Sequence, residues 1–165
     1  MEGVVDVYMR DILTRIGGFD LCVSEFVRVS QHLYPASVFY TLCPELKQGG
    51  KTAAGIPVHV QIMGGEAQVM AENAAFAAEL GAPGIDINFG CPAKTVNRHD
   101  AGATLLQWPE RLNEIVSAIR HAVPDHIPVS AKMRLGYAEK TLAMENALAI
   151  TEAGACKLTI HARTK

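Results

Sequence analysis

Four of the five strand-like stretches of this chain are apolar on one side only, and that restricts the fold more than any other feature of the sequence. Strand-like runs fall at Leu21 to Val27, Pro57 to Met63, Gly84 to Asn88, Pro128 to Arg134 and Lys157 to His161, bounded by turn-forming residues. One face carries Val58, Val60 and Ile62, then Ile85 and Ile87, then Val129, Ala131 and Met133, then Leu158 and Ile160. The alternate positions are polar: His59 and Gln61, Asp86 and Asn88, Ser130, Lys132 and Arg134, then Thr159, His161 and Arg163. Strands of an open doubly wound sheet meet helices on both sides and are apolar on both. In a barrel one face of every strand points at the axis, and polar groups near the carboxyl ends converge on one mouth. A single Lys or Gln at a strand end can equally reach solvent. Four successive strands doing so favour convergence.

Helical patterns alternate with these runs. From Pro109 to Val123 the residues Leu112, Ile115, Val116, Ile119 and Val123 recur at three- and four-residue spacing, with Pro109 suited to the first helical position. Ala67 to Leu80 stops at Gly81 and Thr141 to Ala153 stops at Gly154, glycines placed for left-handed caps. Val7 to Arg15 suggests a further helix. Repeated strand–helix units require a parallel sheet, because parallel neighbours need a crossover long enough to hold a helix. The pattern predicts an α/β fold of the (β/α)8 TIM-barrel type. Only five strands are legible in 165 residues, and a barrel needs eight. Residues 1–165 are therefore expected to be a partial TIM-barrel catalytic domain, an N-terminal piece of a longer protein.

The segment Gly84 to Leu106 carries the chemistry. Ile85 and Ile87 alternate with Asp86 and Asn88, and the run ends in Gly90-Cys91-Pro92, a buried strand delivering a thiol into a rigid loop. That is where α/β enzymes keep reactive groups. The alternative is a small buried hydrophobe in an ordinary turn.

Composition bears on what such a site can be. A net charge of −2 gives no generally nucleic-acid-binding surface, so an RNA partner has to be held by a local cluster. The four cysteines show no C-x-x-C spacing and the six histidines no H-x-x-x-H pair, so neither a metal site nor a disulfide framework is expected. Reduced thiols fit a cytoplasmic protein. No apolar run approaches the roughly 18 residues of a membrane span, and the start lacks the order of a signal peptide.

Strung together, Glu25-Phe26-Val27-Arg28, Val60-Gln61-Ile62-Met63-Gly64, the Asp86 to Lys94 stretch, Gly102-Ala103-Thr104-Leu105-Leu106, Lys132-Met133-Arg134-Leu135-Gly136 and His161-Ala162-Arg163-Thr164 resemble the tRNA-dihydrouridine synthases. Asp20 to Val29 and Cys43-Pro44-Glu45-Leu46 are most similar to the bacterial C-type branch. The resemblance spans essentially the whole chain. It implies an FMN-dependent barrel that uses NADPH to reduce the C5=C6 bond of uridines in the tRNA D-loop, with position 16 the expected target. It also implies seventh and eighth strands and a terminal helical tRNA-binding domain that this chain does not contain. The whole protein is expected to be a monomer, and the 165-residue piece alone to be inactive and prone to self-association.

The residues suit those roles. Adding hydride to uracil C6 leaves an enolate-like centre at C5 that must be protonated, and an ordinary thiol, with a pKa of about 8.5, still carries its proton at neutral pH. Cys91 is thus the expected catalytic acid. Asn88 can donate and accept at once, which matches an imide edge, and the resemblance makes it a uracil-positioning residue. Lys132 and Gln61 are expected at the edge of the flavin ring and His161 at the flavin or its phosphate side. Lys94, Arg98, Arg134 and Arg163 form a candidate basic rim for the substrate's phosphates; Arg134 and Arg163 are alternatively assigned to the uridine itself or the flavin phosphate.

Some positions depart from the family pattern. The Ala-Pro-Met segment of a first strand is absent except for Met1, Arg98-His99-Asp100 occupies a stretch that is often glycine-rich, and Trp108 stands where a capping Asp is usual. That cap is expected to cost the following helix about 1 kcal/mol unless the indole packs. The main rival is a flavin barrel acting on free pyrimidines, of the dihydroorotate or dihydropyrimidine dehydrogenase kind. Those families carry Lys-x-x-Pro-Asn instead of Lys132-Met133-Arg134-Leu135-Gly136 and lack the His-x-Arg-Thr strand end. A non-catalytic truncated product is the other alternative.

Overall fold

The computed structural model describes residues 3–93 and 100–165. Five strands, β1 (Cys22–Arg28), β2 (Val58–Met63), β3 (Ile85–Phe89), β4 (Val129–Gly136) and β5 (Lys157–Thr164), pair in parallel in the order of the chain. Around them run α1 (Val7–Ile16), α2 (Ala36–Leu42), α3 (Ala67–Glu79), α4 (Pro109–Ala122) and α5 (Ala143–Glu152), with 3-10 turns at Pro44–Gln48 and Gly102–Gln107. In a parallel sheet whose strand order never reverses, the right-handed sense that such crossovers take puts every crossover helix on the same side of the sheet. Doubly wound sheets reverse their order and are covered on both faces. The sheet is therefore the arc of a (β/α)8 barrel, five strands of it.

On β2, β3 and β4 the two strand faces behave as their sequence predicts; on β5, the last strand of the sheet, Leu158 is half-buried and Ile160 is 47% exposed. Val60, Ile62, Ile85, Ile87, Val129, Ala131 and Met133 are fully buried in one cluster with Met70, Ala74 and Ala77 of α3, Leu112, Ile115, Val116 and Ile119 of α4, and Ile150 of α5. Each large side chain sealed in this way contributes about 1.5–3 kcal/mol of transfer free energy. Gln61, Asp86 and Ser130 are buried on the other face.

Local details follow from particular residues. Gly81 and Gly154, at φ 95° and 100°, take the left-handed turn that ends α3 and α5. The Trp108 side chain makes no capping bond to α4. The Arg111 guanidinium lies over its indole at 5.7 Å, a contact worth about 0.5–1 kcal/mol at an exposed site, which offsets much of the missing cap. Met1, Arg98 and His99 lie outside the described residues. Asp100 has φ 48°, a conformation that Asp tolerates better than most side chains, and its carboxylate is 3.7 Å from Arg111.

Candidate active site

The polar strand face and the carboxyl ends of the strands enclose a cavity of about 580 Å³, within the range of roughly 300–1,000 Å³ usual for ligand sites. Six residues singled out in the sequence line it together: Gln61 from β2, Asn88 from β3, Cys91 just beyond β3, Lys132 and Arg134 from β4, and His161 from β5. Lys94 and Arg98 lie outside the described residues. A smaller cavity of about 250 Å³ beside α1 and the Pro44–Gln48 turn holds none of these groups.

A chain of hydrogen bonds crosses the floor of the larger cavity. Ser130 Oγ donates to Asp86 Oδ1 (2.7 Å) and Gln61 Nε2 to Asp86 Oδ2 (2.7 Å). Asn88 Nδ2 donates to Gln61 Oε1 (2.9 Å), and the Gly90 amide donates to Asn88 Oδ1 (2.9 Å). The backbone N–H of Gln61 donates to Ser24 Oγ at 3.1 Å. Each of the two amides keeps one N–H uncommitted on the cavity wall, available to a ligand acceptor.

Cys91 directly follows Gly90, at which this series of hydrogen bonds ends. Its carbonyl accepts from the Ala103 amide at 3.0 Å, and the residue packs half-buried against Met63 and Ala101, beside Phe26. Arg134 braces the same loop, donating from Nε to Gly90 O (2.7 Å) and from Nη1 to Thr164 O (3.0 Å). The thiol is thus presented by a loop tied to β3, β4 and β5. The other cysteines are placed differently. Burial, then the Glu45 carboxylate, push Cys43 up to about 12, burial raises Cys22, and Cys156 is exposed.

The β4–β5 side of the cavity is electropositive. Lys132 is half-buried, and no hydrogen bond or ion pair joins its side chain to another described residue. Desolvation, and after it the charges of Arg134, Lys132 and Arg163, hold the His161 imidazole below its ordinary pKa. A neutral ring among three cations suits the approach of an anion.

Sequence reasoning put Asp86 and Ser130 on the polar face but gave them no role. The available signal was an acid between two isoleucines in a buried strand, a position where a carboxylate survives only with partners.

The family model described as Dihydrouridine synthase (Dus) matches residues 1–165. The chain belongs to the dihydrouridine synthase family. Among its relatives, the tRNA-dihydrouridine(16) synthase of Shewanella oneidensis is 60% identical over all 165 residues, which cover 52% of that protein. The proteins of the same name from Vibrio parahaemolyticus and Pseudomonas putida are 59% and 57% identical over the whole chain, each covered over 51% of its length. The chain spans about half the length of the curated relatives it matches.

Dihydrouridine synthases are flavin-dependent tRNA-modifying enzymes, and the residues present fit such a cofactor. The dione edge of a flavin ring is rich in acceptors, and its reduced form and phosphate are anionic. The cavity offers the spare Gln61 N–H, the uncommitted Lys132 ammonium and the His161 ring on one side.

Proposed function

We propose that the full-length protein is an FMN- and NADPH-dependent synthase that reduces the C5=C6 bond of a uridine in the D-loop of tRNA, with position 16 the target. The observation that carries this reading is the placement of Cys91, a thiol on a braced loop at the mouth of a polar cavity lined by Asn88, Gln61, Lys132 and His161. Membership of the dihydrouridine synthase family and the names of the relatives support the substrate class.

Gln61, Lys132 and His161 hold the cofactor in this reading. When bound and reduced by NADPH, FMN supplies the hydride that adds to uracil C6. The chain's own residues do the rest. Asn88 offers its uncommitted N–H to a carbonyl of the base and so fixes the ring over the cavity floor. Cys91 gives the Sγ proton to C5, which completes the two hydrogens of the saturated bond, and the thiolate left behind regains a proton from solvent. The Met63, Ala101 and Phe26 surroundings shield the thiol from bulk water. Lys94 and Arg98, with Arg134, would meet RNA phosphates at the rim, the usual role of cations that position a nucleic acid without reading its bases.

Replacement of Cys91 by Ala tests the assignment. The variant should retain FMN and its reduction by NADPH yet form dihydrouridine on unmodified tRNA about 10²–10⁴-fold more slowly, the usual contribution of a positioned general acid. Product formation at the parental rate would remove Cys91 from the reaction. Efficient turnover of free uracil or dihydroorotate with none on tRNA would move the protein to the free-pyrimidine enzymes.

A further inference from the structure

We propose that Asp86 is a positioning residue: it fixes which way round the Gln61 and Asn88 amides stand in the cavity, and through them it holds the backbone that carries Cys91. The inference rests on the functional reading above only for the reaction it serves. Asp86 is buried, accepts from two neutral donors, and is in no ion pair among the described residues. A carboxylate left in a sheet with no counter-charge is costly, and a merely space-filling role would be served better by an apolar side chain.

What a carboxylate does that an apolar or amide side chain does not is to accept only. The oxygen and nitrogen ends of an amide have nearly the same shape, so its orientation is set by its neighbours. Because Asp86 accepts, Gln61 must turn Nε2 toward it and Oε1 toward Asn88. Asn88 must then donate through Nδ2, which leaves Oδ1 for the Gly90 N–H. A peptide N–H donates only, so both ends of the chain demand the same direction. Reversal would set the Asn88 amino group against the Gly90 N–H and untie the loop that ends in Cys91. It would also exchange the spare donors of the cavity floor for acceptors.

Ser130 makes this testable. In Asp86→Asn the new amino group can donate to Ser130 Oγ, whose proton can turn to the Ile85 carbonyl it already approaches at 3.4 Å. The direction of the chain is then kept. In Asp86→Asn/Ser130→Ala no acceptor remains on that side, the amino group turns to Gln61, and the chain reverses.

The readout is alkylation of Cys91 by iodoacetamide in the full-length, FMN-loaded protein without tRNA or NADPH, followed by peptide mass spectrometry and referred to Cys91 alkylation of the same protein unfolded in urea. The ratio of native to unfolded Cys91 modification rate should rise about tenfold in the double variant, the effect of one buried donor left unpaired, and by much less in either single variant. Gln61→Met, which cuts the chain between Asp86 and Asn88 without reversing it, should raise the ratio as well and keeps the test open if the double variant does not fold. A ratio in the double variant equal to the product of the two single effects, or a Gln61→Met ratio equal to that of the parent, overturns the proposal. Neither measurement involves turnover, so a failure of the tRNA assignment would leave this result standing and would show separately as inactivity on tRNA.

Discussion

Gly84 sits just ahead of β3, and its place against His59 gives a sharp test of the packing beneath the site. The His59 side chain is 8% exposed, and its Nδ1 has no hydrogen-bond partner among the described residues. A Cβ added at Gly84 would lie 2.5 Å from His59 Cδ2 and closer still to Nε2 and Cε1. The φ of Gly84 is outside the left-handed region, so alanine fits the backbone and only the ring stands in its way. Forcing the ring aside in a packed interior costs about 1–3 kcal/mol. In a His59→Ala background the same Gly84→Ala change meets no ring, and the more restricted unfolded chain makes it neutral or stabilising by about 0.4–1 kcal/mol. Urea unfolding of the parent, both single variants and the double variant, above neutral pH, measures the coupling directly. Equal cost of Gly84→Ala in the two backgrounds would refute the argument that the glycine is there to admit the ring.

Burial, and the Lys157 charge with it, lowers the His59 pKa from its ordinary 6.5 against the opposing pull of Asp86. The unfolded chain therefore binds a proton that the folded one refuses, so stability should be full above pH 6.5 and fall as the pH drops below it, an effect that His59→Ala should remove from the unfolding curves. Lys132→Met should weaken FMN binding by about tenfold or more, as loss of a charge-assisted hydrogen bond does; unchanged affinity by fluorescence titration would leave Lys132 a structural residue. Activity on tRNA should fall steeply with added salt, and removing the Lys94 or Arg98 charge should reduce the slope of log affinity against log salt by about one each. An unaltered slope in both variants would place the RNA elsewhere.

Much of this was legible because parity in a strand is a strong signal. Ile85 and Ile87 against Asp86 and Asn88 specify both which side meets helices and where the thiol of Cys91 emerges. Strand ends were less legible: β4 and β5 run on to Gly136 and Thr164, where the Gly136–Thr164 pairing extends the ladder past a register shift. The seven residues of α2 are too few for a helical period to stand out, and Phe39, its buried residue, is held by the edge of Phe76, 37 positions away. The His59–Gly84 contact and the acceptor role of Asp86 were invisible for the same reason. Each depends on which residues of neighbouring strands fall opposite one another, and a sequence states spacing along a strand but not register between strands.

Register is what joins the stability of this sheet to the aim of its site. Gln61, Asp86 and Ser130 are successive Cα partners across β2, β3 and β4, and one row higher Asn88, Lys132 and Thr159 are partners across β3, β4 and β5. Higher again, Arg134 pairs with His161. The lowest of these rows is joined from strand to strand by side-chain hydrogen bonds and tied to the row above through Asn88, and the spare amide N–H groups and the cations of the upper rows face the cavity. Sliding one strand by a single residue would put isoleucines at the axis and Asp86, Asn88 or Lys132 under the helices. The full burial of Ile85, Ile87, Val129 and Ala131 resists that slip. The apolar energy that holds the fold together is therefore the same energy that keeps the Gln61–Asp86–Ser130 floor beneath Asn88 and Cys91.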